Sequence, residues 1–244
     1  MPTRRDFLAT SAAAMVAARF PRPTPELPMA GRTLLFQGDS ITDAGRNRTR
    51  TGANDIAALG TGYPLLLSAE LRDKYPATDL QLYNRGISGN VVLDLQARWP
   101  VDTIALNPAI LSILIGVNDI WHGRGKENAG TAATYEAAYT ALLAQTRAAL
   151  PNTHLVVMEP FVTVTGAVDR SWFPEFDDYR AAAARVAKGA GARFVPLHAM
   201  LQKLSAGAGP AYWAADGVHP TLAGHQAIAR QWMRVVGDGW FKER

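Results

Sequence analysis

The chain has 244 residues, of which 48% are hydrophobic, and it contains no cysteine. This length and composition suit a single α/β domain with a sizeable core, and the lack of cysteine excludes disulfides and thiolate metal sites. The formal net charge is +4, and residues 1–30 carry about half of it, with four arginines against two acidic residues. Because the remainder has no run of lysine or arginine, the composition gives no support to a nucleic-acid partner.

The N-terminus has the pattern of an export signal. Residues 3–9 read Thr-Arg-Arg-Asp-Phe-Leu-Ala, an alanine-rich apolar stretch follows to Ala18, and a proline-rich segment comes next. The stretch is too short to span a bilayer, and twin arginines before a weak apolar region resemble a twin-arginine signal. We therefore expect residues 1–30 to be a signal and linker, and residues 31–244 to be one domain exported to the periplasm or the extracellular space. The alternative for residues 1–30 is a disordered or amphipathic tail.

The rest of the chain alternates short apolar runs with longer amphipathic segments. Five runs are typical of buried strands: Thr33–Gln37, Leu80–Tyr83, Ala109–Ile115, His154–Met158 and Arg193–Val195. Four segments predict helices: Tyr63–Tyr75, Thr134–Leu150, Phe176–Gly189 and Leu222–Val236. The alternation predicts an α/β fold with a parallel sheet covered on both faces. Residues 43–62, with Arg46, Arg48 and Arg50 expected in a solvated loop, and residues 160–174 are irregular and of a length that often builds a cleft.

A candidate nucleophile follows the first strand. Ser40 comes after Gly38 and Asp39, at the edge of the sheet where open α/β folds bind ligands. The same residues also suit a helix cap, and residue 42 is threonine, so the Gly-x-Ser-x-Gly signature is absent. Read alone, the motif leaves capping and catalysis open.

An acid and a base lie three residues apart before the last helix. Asp216 can turn back to the Nδ1 proton of His219, which leaves Nε2 free to accept a serine proton. Pro220 suits the first position of the helix that follows. The alternative is an Asp-Gly turn followed by an exposed histidine.

Two candidate donors to an oxyanion follow the other strands. Asn118, whose amide can donate, ends the third strand in Gly-Val-Asn-Asp, and Gly86 ends the second in Asn-Arg-Gly. Both also fit ordinary turns. Because all these motifs fall at one edge of one sheet or just before the last helix, together they favour acyl-transfer chemistry.

The four blocks resemble those of the SGNH, or GDSL-type, hydrolases, whose name lists the residues matched here by Ser40, Gly86, Asn118 and His219. The resemblance covers nearly all of residues 31–240. It implies a three-layer α/β/α, flavodoxin-like fold with a five-stranded parallel sheet, and a triad of Ser40, His219 and Asp216. The Ser40 and Gly86 N–H groups and the Asn118 amide would form the oxyanion hole, with no metal or cofactor.

Within that superfamily the chain is most similar to bacterial acetylxylan esterases. The similar stretches are residues 38–46, 58–63, 85–90 and 97–99. The resemblance implies an esterase that removes acetyl groups from xylan or xylo-oligosaccharides. Ala215 stands where an aromatic residue is expected in that group, and Trp213 lies close enough in sequence to replace it.

The substrate would be a small-molecule or oligosaccharide ester, and we expect it to contact Asp39, Trp121, His122 and Trp213. Homo-oligomerisation stays open. The nearest alternative is a lysophospholipase-like, thioesterase-like or broad short-chain esterase on the same fold. A metal hydrolase is disfavoured because no metal-binding histidine motif accompanies Asp39 and His219. A non-catalytic carbohydrate-binding module is disfavoured because nucleophile, base and acid are all present.

Overall fold

The computed structural model describes residues 33–124 and 130–237, and its centre is a five-stranded sheet. The strands are β1 (Thr33–Gly38), β2 (Gln81–Asn84), β3 (Ile110–Leu114), β4 (His154–Met158) and β5 (Arg193–Val195). They lie in the order β2-β1-β3-β4-β5 and every pairing is parallel. This confirms the predicted flavodoxin-like sheet. The strand order reverses between β1 and β3, and in such sheets ligands bind outside the carboxyl ends of the strands at this point.

Helices cover both faces of the sheet. Their bounds are α1 (Ser40–Asp43), α2 (Ile56–Leu59), α3 (Tyr63–Lys74), α4 (Val92–Trp99), α5 (Val117–Trp121), α6 (Ala132–Ala149), α7 (Glu175–Gly189), α8 (His198–Ala208), α9 (Pro210–Trp213) and α10 (Leu222–Trp232). On one face α3 packs against α10, and on the other α6 packs against α4 and α7. The predicted three-layer α/β/α architecture is therefore confirmed.

The four long predicted helices are present, but several shorter ones were missed. The sequence analysis left α4 unassigned, although Val92, Leu95 and Trp99 form a buried stripe at helical spacing. A π-helical turn, Pro100–Ile104, continues it toward β3. A second π-turn, Met233–Gly237, follows α10, so the predicted helix end at Val236 falls within that turn.

The core is built on the central strands and two buried tryptophans. All five residues of β3 are buried, as a strand covered on both faces requires. Trp99 and Trp232 are 0% exposed. Each indole N–H finds a partner, since Trp99 Nε1 donates to Thr146 Oγ1 at 2.9 Å and Trp232 Nε1 to Ser112 Oγ at 3.0 Å.

The predicted export signal, residues 1–30, lies outside the described residues. Within the described ranges, none of the helices combines the length and the apolar character that crossing a bilayer requires.

Candidate active site

The end of β1 presents Ser40 at the edge of the sheet. Gly38 allows the end of β1 to lie close to β3, because a Cβ on residue 38 would lie 2.2 Å from the Leu114 carbonyl oxygen of β3. Asp39 then caps α1 by accepting the Ile41 N–H at 3.0 Å. Ser40 is the first residue of α1, where its N–H has no acceptor within the helix.

Ser40, His219 and Asp216 form one hydrogen-bonded line. Ser40 Oγ lies 2.8 Å from His219 Nε2, and His219 Nδ1 lies 2.6 Å from Asp216 Oδ2. The other carboxylate oxygen, Oδ1, accepts the N–H groups of Val218 at 2.9 Å and His219 at 2.7 Å. With the Nδ1 proton directed at Asp216, Nε2 is the acceptor for the Ser40 hydroxyl.

The charge state of Asp216 follows from these bonds. Burial works toward a higher pKa, but the hydrogen bonds from the His219 ring and from two backbone N–H groups outweigh it. The pKa of Asp216 therefore lies below its ordinary value. The carboxylate is ionised at neutral pH and can hold the imidazole in one tautomer.

The turn that carries Asp216 is supported by residues 160–174. Thr163 N–H donates to the Gly217 carbonyl at 2.8 Å, and Ala167 N–H donates to the Asp216 carbonyl at 2.9 Å. Gly217 has φ +89°, and a Cβ there would lie 2.4 Å from the Thr165 carbonyl oxygen. Only glycine fits this position, so the long irregular segment fixes the Asp216 turn in place.

Asn118 faces the same edge from α5. It is 5% exposed, and its Nδ2 donates to the Asn90 carbonyl at 3.1 Å. Because an amide nitrogen has two protons, this bond leaves one proton for another acceptor. The sequence analysis placed Asn118 at the end of the third strand, whereas the structure places it in the first turn of α5.

The Gly86 N–H, which the sequence analysis predicted to face an oxyanion, has a hydrogen-bond partner two residues earlier in the chain. This N–H donates to the buried Oδ1 of Asn84 at 2.8 Å, and Gly86 itself is buried. A Cβ on Gly86 would lie 2.5 Å from the Asp43 nitrogen, so this glycine is needed for packing against α1. In the same loop Gly89 is exposed with φ +84°, and its N–H has no acceptor among the described residues. Gly89 is the second glycine of Asn-Arg-Gly-Ile-Ser-Gly, and this motif was its signal in the sequence.

Asp39 does not contact the substrate cleft as predicted. It is 1% exposed and its carboxylate is used as the cap of α1. Burial, with a smaller contribution from the nearby Asp119, raises the pKa of Asp39 to about 7. Burial likewise raises the pKa of Asp119 to about 7. Of the two interpretations left open for this motif, capping applies to Asp39.

The three aromatic candidates are placed differently. The Trp121 ring centroid lies 6.2 Å from that of His219, so this side chain borders the line of Ser40, His219 and Asp216. His122 follows at the end of α5 and is exposed. Trp213 packs on Tyr212, with ring centroids 5.0 Å apart, and contributes to the core rather than to the cleft beside Ser40. Trp172 contacts Trp121 from behind, an arrangement that the sequence did not indicate.

A cleft of about 380 Å³ opens beside the reactive groups. Its walls, in addition to Ser40 and His219, are Ile41, Ala44, Thr61, Pro220, Leu222 and His225. Burial lowers the pKa of His225 to about 4, so this wall carries no charge at neutral pH. In the part of the chain that the structure describes, no three histidine or carboxylate side chains are grouped to hold a metal ion.

The expected solvated loop also changes. Arg46 is 9% exposed, and its Nε donates to the Gly86 carbonyl at 2.7 Å. Arg48 pairs with Asp43, which also accepts the N–H and hydroxyl of Ser88 at 2.9 and 3.0 Å. The first arginine is therefore buried against the loop after β2, and only Arg48 and Arg50 keep the predicted exposure.

Comparison with known proteins agrees with this geometry. Residues 36–227 match the family described as GDSL-like lipase/acylhydrolase. An acetylxylan esterase of Geobacillus stearothermophilus is 36% identical over 219 residues, which cover 88% of this chain and 98% of the relative. A Parabacteroides merdae crystal structure assigned to the GDSL-like lipases has a TM-score of 0.84 and 41% identity, covering 89% of this chain and 99% of that one. A variant of an acetyl-xylooligosaccharide esterase from Geobacillus stearothermophilus has a TM-score of 0.78 and 36% identity, covering 88% and 98%.

Proposed function

We propose the function of this chain from the premise that it belongs to the GDSL-like lipase/acylhydrolase family and is a carboxylic ester hydrolase. The proposed reaction is removal of acetyl groups from carbohydrate, with acetylated xylan or xylo-oligosaccharide as the substrate class. The observation that carries this proposal is the line from Ser40 Oγ through the His219 ring to Asp216, with contacts of 2.8 and 2.6 Å.

In the first step, Ser40 Oγ attacks the ester carbonyl while His219 Nε2 accepts its proton. Asp216 keeps the Nδ1 proton in place and stabilises the imidazolium that forms. The depressed pKa of Asp216 supports this assignment, because the carboxylate stays ionised throughout the neutral range. The alcohol of the sugar then leaves with the proton from His219.

The developing oxyanion needs donors that are already oriented. We assign the Ser40 N–H and the second Asn118 amide proton, as predicted, and we replace Gly86 by Gly89 as the third donor. The free N–H at Gly89 and the occupied N–H at Gly86 support the replacement. Hydrogen bonds to an oxyanion that are fixed before reaction are among the largest contributions to catalysis.

In the second step, water attacks the acetyl-enzyme and His219 acts first as base and then as acid. The products are acetate and free Ser40. This sequence uses no metal or cofactor, since the nucleophile, base and oxyanion donors are all side chains or backbone groups of the chain itself.

Support for a short acyl group comes from the cleft. Its volume of about 380 Å³ lies at the low end of ligand pockets, and a long acyl chain needs a longer apolar groove. Support for a sugar comes from the acetylxylan and acetyl-xylooligosaccharide esterase activity of the Geobacillus stearothermophilus relative. We propose that Trp121 stacks on a sugar ring next to His219, because an aromatic face suits the apolar side of a pyranose.

We test the proposal by acetate release from acetylated xylo-oligosaccharides, with aryl esters of increasing acyl length alongside. The variants are Ser40→Ala and, as a matched control outside the site, Ser205→Ala in α8. We expect Ser40→Ala to lose about 10⁴-fold or more in kcat, Ser205→Ala to retain activity, and rates to fall beyond propionyl. Activity only on esters of longer acyl chains would refute the assignment to a carbohydrate substrate. An active Ser40→Ala variant would overturn the mechanism.

The division of the chain and its location are proposed from the sequence alone. We propose that residues 1–30 direct export through the twin-arginine route and that residues 31–244 are the hydrolase domain. Replacing Arg4 and Arg5 by lysine should leave the protein inside the cell. Unchanged appearance in the periplasm or medium would argue against this signal.

A further inference from the structure

We propose that Arg98 is a positioning residue that holds the oxyanion loop, residues 85–90, against the nucleophile strand and thereby sets the alignment of the three donors. This inference rests on the proposed function, because it concerns the transition state of that reaction. Arg98 lies on α4, away from the substrate cleft, and nothing in the sequence analysis gave it a task.

The guanidinium group joins three separate points of the chain, two backbone carbonyls and one side-chain amide. Arg98 Nε donates to Asn90 Oδ1 at 2.9 Å, and Nη1 donates to the Arg85 carbonyl at 2.8 Å, so both ends of the loop are held. Nη2 approaches the Gly38 carbonyl at 3.4 Å, two residues before Ser40. One rigid planar group therefore fixes the loop relative to the end of β1.

Asn90 passes this constraint on to two of the proposed donors, Asn118 and Gly89. Its side chain accepts from Arg98, and its carbonyl accepts from Asn118 Nδ2 at 3.1 Å. The candidate donor Gly89 is the preceding residue. Arg98 therefore contacts groups close to all three proposed donors. Gly38 comes two residues before Ser40. Asn90 directly follows Gly89 and accepts a hydrogen bond from Asn118.

The surroundings make this contact rigid. The Arg98 side chain is 16% exposed, and its charge is balanced by Asp102 one turn later, with Nη1 to Oδ2 at 2.8 Å. Asp102 belongs to the π-turn that follows α4, and Gln37 of β1 donates to its carbonyl at 3.3 Å. Lysine cannot reproduce the arrangement, because it has no planar fork with donors spread over three directions.

The physical consequence concerns the transition state more than substrate binding. Losing an oxyanion donor costs about 10²–10³-fold in kcat, and a donor that is present but displaced costs less. We expect Arg98→Met to lower kcat about 10–100-fold with KM within about threefold. The pH profile of kcat should be unchanged, because His219 and Asp216 are not touched.

The experiment measures kcat and KM on p-nitrophenyl acetate and the inhibition constant of phenylboronic acid, whose tetrahedral adduct on serine places an oxygen in the oxyanion hole. Arg147→Met is the matched control: Arg147 also spreads its guanidinium over backbone carbonyls, of Thr153 and Ala190, but far from the site. We expect boronate affinity to fall in parallel with kcat in Arg98→Met, and both to stay at the wild-type value in Arg147→Met.

Two milder variants keep the test valid if Arg98→Met does not fold. Arg98→Lys should recover part of kcat, and Asn90→Ala should lose part of it, since it removes one acceptor and leaves the carbonyl that meets Asn118. Wild-type kcat in Arg98→Lys and Asn90→Ala, or a fall in kcat without a fall in boronate affinity, would overturn the inference. Full activity of Ser40→Ala would instead refute the proposed function, whatever the Arg98 variants do.

Discussion

Replacing Asp39 by asparagine is expected to stabilise the protein above pH 7 and to leave its stability nearly unchanged near pH 4. Asp39 is 1% exposed, caps α1 through the Ile41 N–H, and lies near Asp119. Burial raises the pKa of Asp39 to about 7 from an ordinary value of 3.8. Asparagine keeps an acceptor oxygen for the Ile41 N–H, and its side chain does not ionise.

The sign follows from the two pKa values. Because the pKa is higher in the folded protein, the folded state holds a proton between about pH 4 and pH 7 that the unfolded chain has lost. The contribution of Asp39 to stability therefore falls as pH rises through this window and stays low above it. A difference of about three pKa units corresponds to about 4 kcal/mol, so we expect Asp39→Asn to gain 2–4 kcal/mol at pH 8 relative to wild type.

The assay is urea unfolding of wild type and variant at half-unit steps from pH 4.5 to 8. Asp55→Asn is the control, since Asp55 caps α2 but its hydrogen bond from Arg50 holds the pKa of Asp55 below the ordinary value. The control should lose stability at pH 8, opposite in sign to Asp39→Asn. A difference between Asp39→Asn and wild type that does not change with pH would refute the reasoning.

Three further outcomes are expected. Asn118→Ala should lower kcat about 10²-fold or more with little change in KM, measured on p-nitrophenyl acetate; an unchanged kcat would remove Asn118 from the oxyanion hole. Burial lowers the pKa of His198 to about 4, so the free energy of unfolding of the wild type should fall as pH drops from 6.5 toward 4. At pH 4.5, His198→Phe should retain about 2 kcal/mol more of its unfolding free energy than the wild type, measured by urea unfolding. Parallel pH curves for the two proteins would contradict this. Gly86→Ala should lower the Tm by several degrees, because its Cβ would lie 2.5 Å from the Asp43 nitrogen. In Gly89→Ala the new Cβ meets no atom within 4 Å, and the only strain comes from φ +84°. Equal Tm values for Gly86→Ala and wild type would show that the packing argument is wrong.

Residue patterns alone predicted the sheet, because its strands are short, mostly apolar runs bounded by polar residues. The runs around β1 and β3 predicted strands within one or two residues of the observed ends. The spacing of Asp216 and His219 predicted that they lie side by side, since three residues of chain cannot separate them far. These features depend on local sequence and need no knowledge of distant contacts.

Predictions failed where the outcome depends on a hydrogen-bond or packing partner that the residue pattern does not reveal. Gly86 and Gly89 are both glycines in one loop, and only the bond from Gly86 to Asn84 shows which N–H is already used. Arg46 looks like its exposed neighbours in sequence, yet the Gly86 carbonyl draws it into a buried position. The short helix α4 was missed because its burial depends on α6, which begins 33 residues after α4 ends.

The sequence by itself determined the parallel α/β sheet and the kinds of reactive group at its edge, because hydrophobic period and residue chemistry are local properties. Only the tertiary structure decided which groups meet. The Ser40 hydroxyl and the His219 ring are 179 residues apart in the chain, and their 2.8 Å contact exists because β1 and the turn before α10 end at the same side of the sheet. Hydrogen bonds over such separations, and the pKa values that burial sets, follow from packing and cannot be deduced from the order of residues alone.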